Sequence, residues 1–186
     1  GFYYTREALE SAVPVFEGKK IYADHPSSMD EQIRPERSVR DVLGYFENVQ
    51  IEEASDGRTM LTASVTMLDE PHYAWARGLM RYAVNYSKKF PDKDFVGLSI
   101  NATGDAEAVK LDDFAKESWI PETAVPKILR AKEDGLETVR LVNRITEAIS
   151  CDLVTEAGAG GRILEMIEQE KKIMAKKSTA KVEKKV

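Results

Sequence analysis

Asp56-Gly57 stands between two strand-like runs, and that arrangement restricts the fold more than any other local feature of the chain. An Asp-Gly pair adopts the positive backbone φ of a tight hairpin turn at little cost. The run after it sets Leu61, Ala63, Val65 and Met67 against Thr62, Ser64 and Thr66. That period of two belongs to a strand with one buried face. Residues 41–52 and 58–68 are therefore expected to pair as an antiparallel hairpin.

Further strands are expected over residues 15–23, interrupted at Glu17-Gly18, and over 95–103, 137–142 and 145–155. Helices are expected around them. Thr5 is a suitable N-cap for a helix over residues 5–13, stopped by Pro14. Asp69-Glu70-Pro71 opens a helix over 71–88, with early acids and terminal Lys88-Lys89 matching the helix dipole. Trp75, Leu79, Tyr82, Ala83 and Tyr86 form its expected apolar stripe. Residues 162–177 read as an amphipathic helix through Ile163, Met166, Ile167 and Ile173. Residues 26–38 read as a polar loop, and 104–136 as an insertion or flexible connection with a short helix after Pro121. The expected class is α+β, a mainly antiparallel, barrel-like sheet surrounded by helices.

At 186 residues the chain fits one domain, expected over 1–165, and a C-terminal helix and lysine-rich tail over 166–186. The last sixteen residues hold seven lysines and one glutamate, a composition expected of a solvated tail. The net charge of −5 argues against a general nucleic-acid binder. No apolar run approaches the roughly 20 residues of a membrane-spanning helix. With Cys151 as the sole cysteine no internal disulfide can form, and a reducing compartment fits. The first residue is Gly1 rather than Met, as in a fragment or processed form that lacks a first strand.

Chemistry concentrates in three strands. Ser99 lies in Phe95-Val96-Gly97-Leu98-Ser99-Ile100, where alternation puts it on the face of Gly97 and Asn101 and leaves Leu98 and Ile100 to the core. His25 follows the run Lys20-Ile21-Tyr22-Ala23 and is held by Asp24 and Pro26. An imidazole there can take a proton from a serine hydroxyl near neutral pH and return it. Asp152 is set among apolar neighbours, where an unpaired charge is costly, and a histidine partner would explain it. Glu147, on the opposite face, is the weaker candidate for that third position. His72, at a helix start, reads as a surface residue, and Cys151 as a small core residue. Two separated histidines and one cysteine give no metal-ligand spacing, so neither a metal nor another cofactor is expected. Backbone amides at Gly160 and Gly161, with Arg162, are candidates to face the oxyanion of a tetrahedral intermediate.

Taken in order, Tyr22-Ala23-Asp24-His25-Pro26, Asp41-Val42-Leu43-Gly44-Tyr45-Phe46, Val96-Gly97-Leu98-Ser99-Ile100 and Ser150-Cys151-Asp152-Leu153-Val154-Thr155 resemble the head maturation (prohead) proteases of tailed bacteriophages, which are similar in fold to the herpesvirus assemblins. The resemblance spans about residues 1–165. It implies a serine endopeptidase with Ser99 as nucleophile, His25 as general base and Asp152 as third member. It further implies action inside the assembling procapsid in the host cytoplasm, on scaffolding protein, major capsid protein and the protease itself. A homodimer is suggested by the herpesvirus relatives; neither nucleic acid nor membrane is an expected partner. Many relatives carry Pro-Ala after the last strand, where this chain has Glu156-Ala157-Gly158. The alternatives are a non-enzymatic scaffold or capsid-assembly protein with a degenerate protease domain, and a hydrolase of small esters.

Overall fold

A computed structural model of the chain describes residues 2–34, 36–54, 57–91, 93–117, 120, 125–157 and 160–166. Its organising element is a 17-residue strand near the C-terminal end, β6 (Thr138–Val154). On one edge β6 pairs antiparallel with β5 (Gly97–Lys110) along nearly its whole length. On the other edge two short strands pair parallel to it in tandem. β1 (Phe2–Tyr4) lies against residues 140–142, and β2 (Lys20–Ala23) against residues 151–153. The sheet then continues antiparallel through β3 (Val42–Glu53) and β4 (Thr59–Met67).

The class is α+β, and the sheet curls into a half-barrel. It is mixed rather than mainly antiparallel around its central strand, because β1 and β2 both run parallel to β6. A helix joins these two strands and carries the chain along one edge of β6 from the first to the second. That helix, α1 (Arg6–Phe16), starts at Thr5, whose side chain accepts a hydrogen bond from the Ala8 amide at 3.1 Å. Pro14 does not stop it. A proline in a last turn removes a single amide donor, and Phe16, on one stripe with Ala8 and Ala12, is buried against the sheet. What was expected to be the start of a strand at residue 15 is therefore the end of a helix, and β2 begins only after Gly18 turns the chain at φ +72°.

Burial along β6 explains its central position. Residues 150–153 are all buried, on both faces of the sheet, while residues 143–149 are mostly exposed between Ile145 and Ala148. The main core gathers Ile21, Leu43, Phe46, Val96, Cys151 and Leu153 with residues of α1 and of α3 (Ala74–Lys89). α3 follows a 3-10 turn at Pro71–Tyr73 and buries Ala76, Met80, Ala83 and Val84. Of the stripe expected from the sequence, Ala83 and Leu79 join the core, but its aromatics do not: Trp75 and Tyr82 are exposed, and Tyr82 and Tyr86 meet Phe95 at tilted angles, with centroid distances of 4.6 and 5.4 Å. Ala76, Met80 and Ala83 are the α3 residues buried in the main core.

Residues 104–136 differ from the insertion or flexible connection expected. They hold the second half of β5, then α4 (Leu111–Phe114) and α5 (Val125–Glu133). Leu111, Phe114, Ile120 and Ile128 pack on Val139 as a second small core, where Tyr3 meets Phe114 edge-on at 4.9 Å. The two strands expected at 137–142 and 145–155 are one continuous β6, with irregular pairing to β5 between Asn101 and Ala106. Residues 26–38 contain a short helix, α2 (Ser28–Ile33), closed at its start by a reciprocal Ser27–Asp30 capping box. Residues 162–166 are not helical, and the rest of the expected 162–177 helix and the lysine-rich tail lie outside the described residues. Among the described residues no helix is long and apolar enough to cross a membrane.

Candidate active site

Strand register brings the chemistry together. Ser99 on β5 and Tyr22 on β2 are both direct partners of Asp152 on β6. Directly paired residues point to the same face of a sheet, so the serine hydroxyl and the carboxylate emerge side by side. Beyond Ala23, Asp24 donates its amide to the Leu153 carbonyl at 3.0 Å and adopts φ +58°. That left-handed turn, which aspartate tolerates better than most residues, directs His25 back over the Ser99–Asp152 pair.

The resulting chain of contacts is continuous. His25 Nε2 lies 2.8 Å from Ser99 Oγ, and Nδ1 lies 2.5 Å from Asp152 Oδ2. A carboxylate can only accept, so Nδ1–H donates to Asp152. That leaves Nε2 as the acceptor for the Ser99 hydroxyl proton, the tautomer a general base requires. Asp152 is completely buried, whereas the imidazole is 40% exposed. The carboxylate is thus the fixed foundation of the group, and the reacting side stays open to solvent.

Two residues not expected to take part in the site complete the surroundings of the carboxylate. Ser150 donates its hydroxyl to Asp152 Oδ2 at 3.0 Å. Arg37 donates to Oδ1 at 3.1 Å. Ser150 was legible in principle, since it shares Asp152's face two residues earlier on one strand. Arg37 left no such signal: it lies 115 residues away in a polar stretch and itself turns at φ +59°.

Of the expected oxyanion group, Gly160 and Arg162 have other partners. The Gly160 amide donates to the Ala157 carbonyl at 3.0 Å, and the Arg162 guanidinium pairs with Asp94 at 2.8 Å and with the Pro91 carbonyl at 3.0 Å. Both groups are thereby engaged with partners other than Ser99. Gly161 bridges Leu98, one residue before the serine, and accepts from its amide at 3.0 Å. The same close approach accounts for Gly97: a Cβ there would lie 2.4 Å from the Gly161 carbonyl oxygen.

Cys151 points away from the site into the core, and burial pushes its thiol up to about 12. His72 sits in the exposed 3-10 turn and packs edge-on against Tyr73. Glu147 pairs with Thr103, well along the ladder from Asp152. No group of three His, Cys, Asp or Glu residues among those described is arranged as a metal site.

A cleft of about 530 Å3 is lined by β5 from Ser99 to Gly104 and Ala106, together with Phe2, Tyr4 and Val142. A smaller recess lies beside His25, bounded by Asp24, Asp30, Arg34, Arg37 and Asp41. Comparison with protein-family models, with curated proteins and with solved structures returned no match.

Proposed function

We propose that the chain is a serine endopeptidase in which Ser99 attacks a peptide carbonyl. The observation that carries this reading is the unbroken Ser99–His25–Asp152 hydrogen-bond chain, with its hydroxyl end open and its carboxylate end buried. His25 takes the hydroxyl proton through Nε2 as the bond to carbon forms. Asp152 stabilises the imidazolium and holds the ring in place. The imidazolium then protonates the leaving amine, and water, activated by the same imidazole, releases the acyl group.

The cleft favours a polymer over a small ester. From Ser99 to Gly104 it follows five steps of strand, about 17 Å at roughly 3.3 Å each. The resemblance to phage prohead proteases narrows the substrates to scaffolding protein, major capsid protein and the protease itself, inside the procapsid. The curled half-barrel is consistent with a fold of the assemblin kind. A degenerate domain that only assists capsid assembly is the second reading. The alignment of all three side chains weighs against it, because a site without catalytic use has no reason to keep a buried carboxylate beneath a partly exposed histidine.

The test is incubation of the purified chain with its cognate scaffold and capsid proteins, beside Ser99→Ala and His25→Ala, read by intact mass. Discrete fragments from the unaltered chain alone support the protease. Scaffold that stays bound and uncut in all three favours the assembly role. Equal cleavage by all three places the active site elsewhere.

A further inference from the structure

We infer that Arg37 is a positioning residue of this site, which locks the Asp152 carboxylate and the His25-bearing turn together and balances the charge beneath the imidazole. The inference rests on Ser99 being the nucleophile, as proposed above.

The contacts of Arg37 converge on the two parts that must stay in register. Its Nη1 donates to Asp152 Oδ1, while Nη2 donates to the carbonyls of Asp24 at 2.8 Å and Ala23 at 3.3 Å. Those carbonyls belong to the two residues just before His25. The guanidinium also lies over the Tyr22 ring, 4.4 Å from its centroid, and the side chain is only 13% exposed. A planar fork spreads its donors over two nitrogens that reach the carboxylate and the two carbonyls separately, whereas an ammonium holds its three donors on one atom and lacks the plane that covers the Tyr22 ring. Asp152 then accepts from three groups, with Oδ2 left to His25 and Ser150. Its plane is fixed, and so is the direction in which Nδ1–H must point.

Charge gives Arg37 a second effect. Asp152 alone would be a buried anion in contact with the ring, favouring a protonated imidazole that cannot accept the Ser99 proton. The Arg37–Asp152 pair sums to zero. Among the described residues, the other charged or titratable groups nearby are the Tyr22 phenol under Arg37, Asp24, Asp30, Asp41 and Arg34 around the open recess, and the neutral Cys151 thiol behind Asp152 on β6. The recess groups are open to water and more strongly screened than the buried pair.

The experiment measures the rate at which a fluorophosphonate probe labels the full chain, as a function of pH. Ser99→Ala is the blank, and circular dichroism checks folding. Arg37→Gln should label about 10- to 100-fold more slowly, as expected when a reacting group is misplaced, and the acid limb of its profile should move to higher pH. Arg37→Lys keeps the charge and loses the fork, so its rate should fall several-fold while its acid limb stays in place. That variant carries the test if Arg37→Gln does not fold. A folded Arg37→Gln with the unaltered rate and limb overturns the inference. So does a slower reaction with an unmoved limb, which would make Arg37 a structural residue only. An Arg37→Lys that matches the unaltered rate removes the need for the fork and overturns it as well. If the unaltered chain labels no faster than Ser99→Ala, the hydrolase reading itself falls, and the role of Arg37 with it.

Discussion

Ser99 and Asp152 are direct partners across the β5–β6 ladder, so two of the three proposed catalytic side chains are set by one strand pairing. Only the imidazole arrives from a third strand, and a positive-φ aspartate delivers it. A slip of one residue in that pairing would place serine and carboxylate on opposite faces. Both strands are long, and their pairing runs for most of their length.

Removing the carboxylate should separate chemistry from stability. Asp152→Asn keeps the volume and a hydrogen-bonding group but presents the wrong partner to Nδ1–H. Probe labelling of Ser99 should drop by about 10⁴-fold, the scale known for the same change in a related constellation. Asp152→Ala in addition strands the largely buried Arg37 guanidinium. Urea denaturation should show a loss of about 3–5 kcal/mol, the usual cost of removing one partner from a buried ion pair.

Gly97→Ala tests the approach of the 157–161 turn to the serine strand. The added Cβ would meet a backbone oxygen and the Ala157 Cβ rather than a flexible side-chain end. Overpacking of this kind costs about 1–3 kcal/mol, and the displaced strand carries Ser99 two residues on. Both the denaturation midpoint and the labelling rate should fall. Gly135→Ala, where a Cβ meets open space but φ is +86°, should affect stability alone.

The lone thiol gives a pH-dependent signature. Burial, with the Asp152 charge as a smaller contribution, raises Cys151 from its ordinary 9.0 to about 12. As pH rises through 9 the unfolded chain loses this proton while the folded chain keeps it. Folding stability should therefore decline between about pH 9 and 12, and Cys151→Ala should make that decline shallower. Iodoacetamide at pH 8 should modify the thiol only in denaturant.

Phe114→Ala should weaken the molecule far from the chemistry. The ring is buried in the second core, and its loss costs about 3–5 kcal/mol. Eleven steps of strand separate Ser99 from Lys110, which directly precedes α4, or about 36 Å. The labelling rate per folded molecule should be unchanged while the melting temperature falls.

The parts of the site legible in the sequence were those fixed by short-range rules. Alternation assigned Ser99 to a polar face, and the cost of a buried charge singled out Asp152 as needing a partner. Arg37 obeys no local rule, because its meaning depends on a long side chain reaching a strand that is remote in sequence. The second half of β5 was misread for a different reason. Gly104-Asp105-Ala106-Glu107-Ala108 has little apolar contrast, and most of it is exposed. Its strand conformation comes from the β6 ladder, a tertiary cause that propensity does not register. The α3 aromatics misled in the opposite sense: large rings suggested core, whereas the core takes the side that carries Ala76, Met80 and Ala83.

The tandem arrangement on β6 has a consequence for persistence of the site. β1 and β2 each offer β6 three residues of pairing, a weak grip taken singly. Joined through α1, they hold β6 as a two-handed ligand holds a receptor, each grip keeping the other at high effective concentration. Loss of the β1 grip then costs one hand for a moment, while the hand that carries His25 keeps its hold.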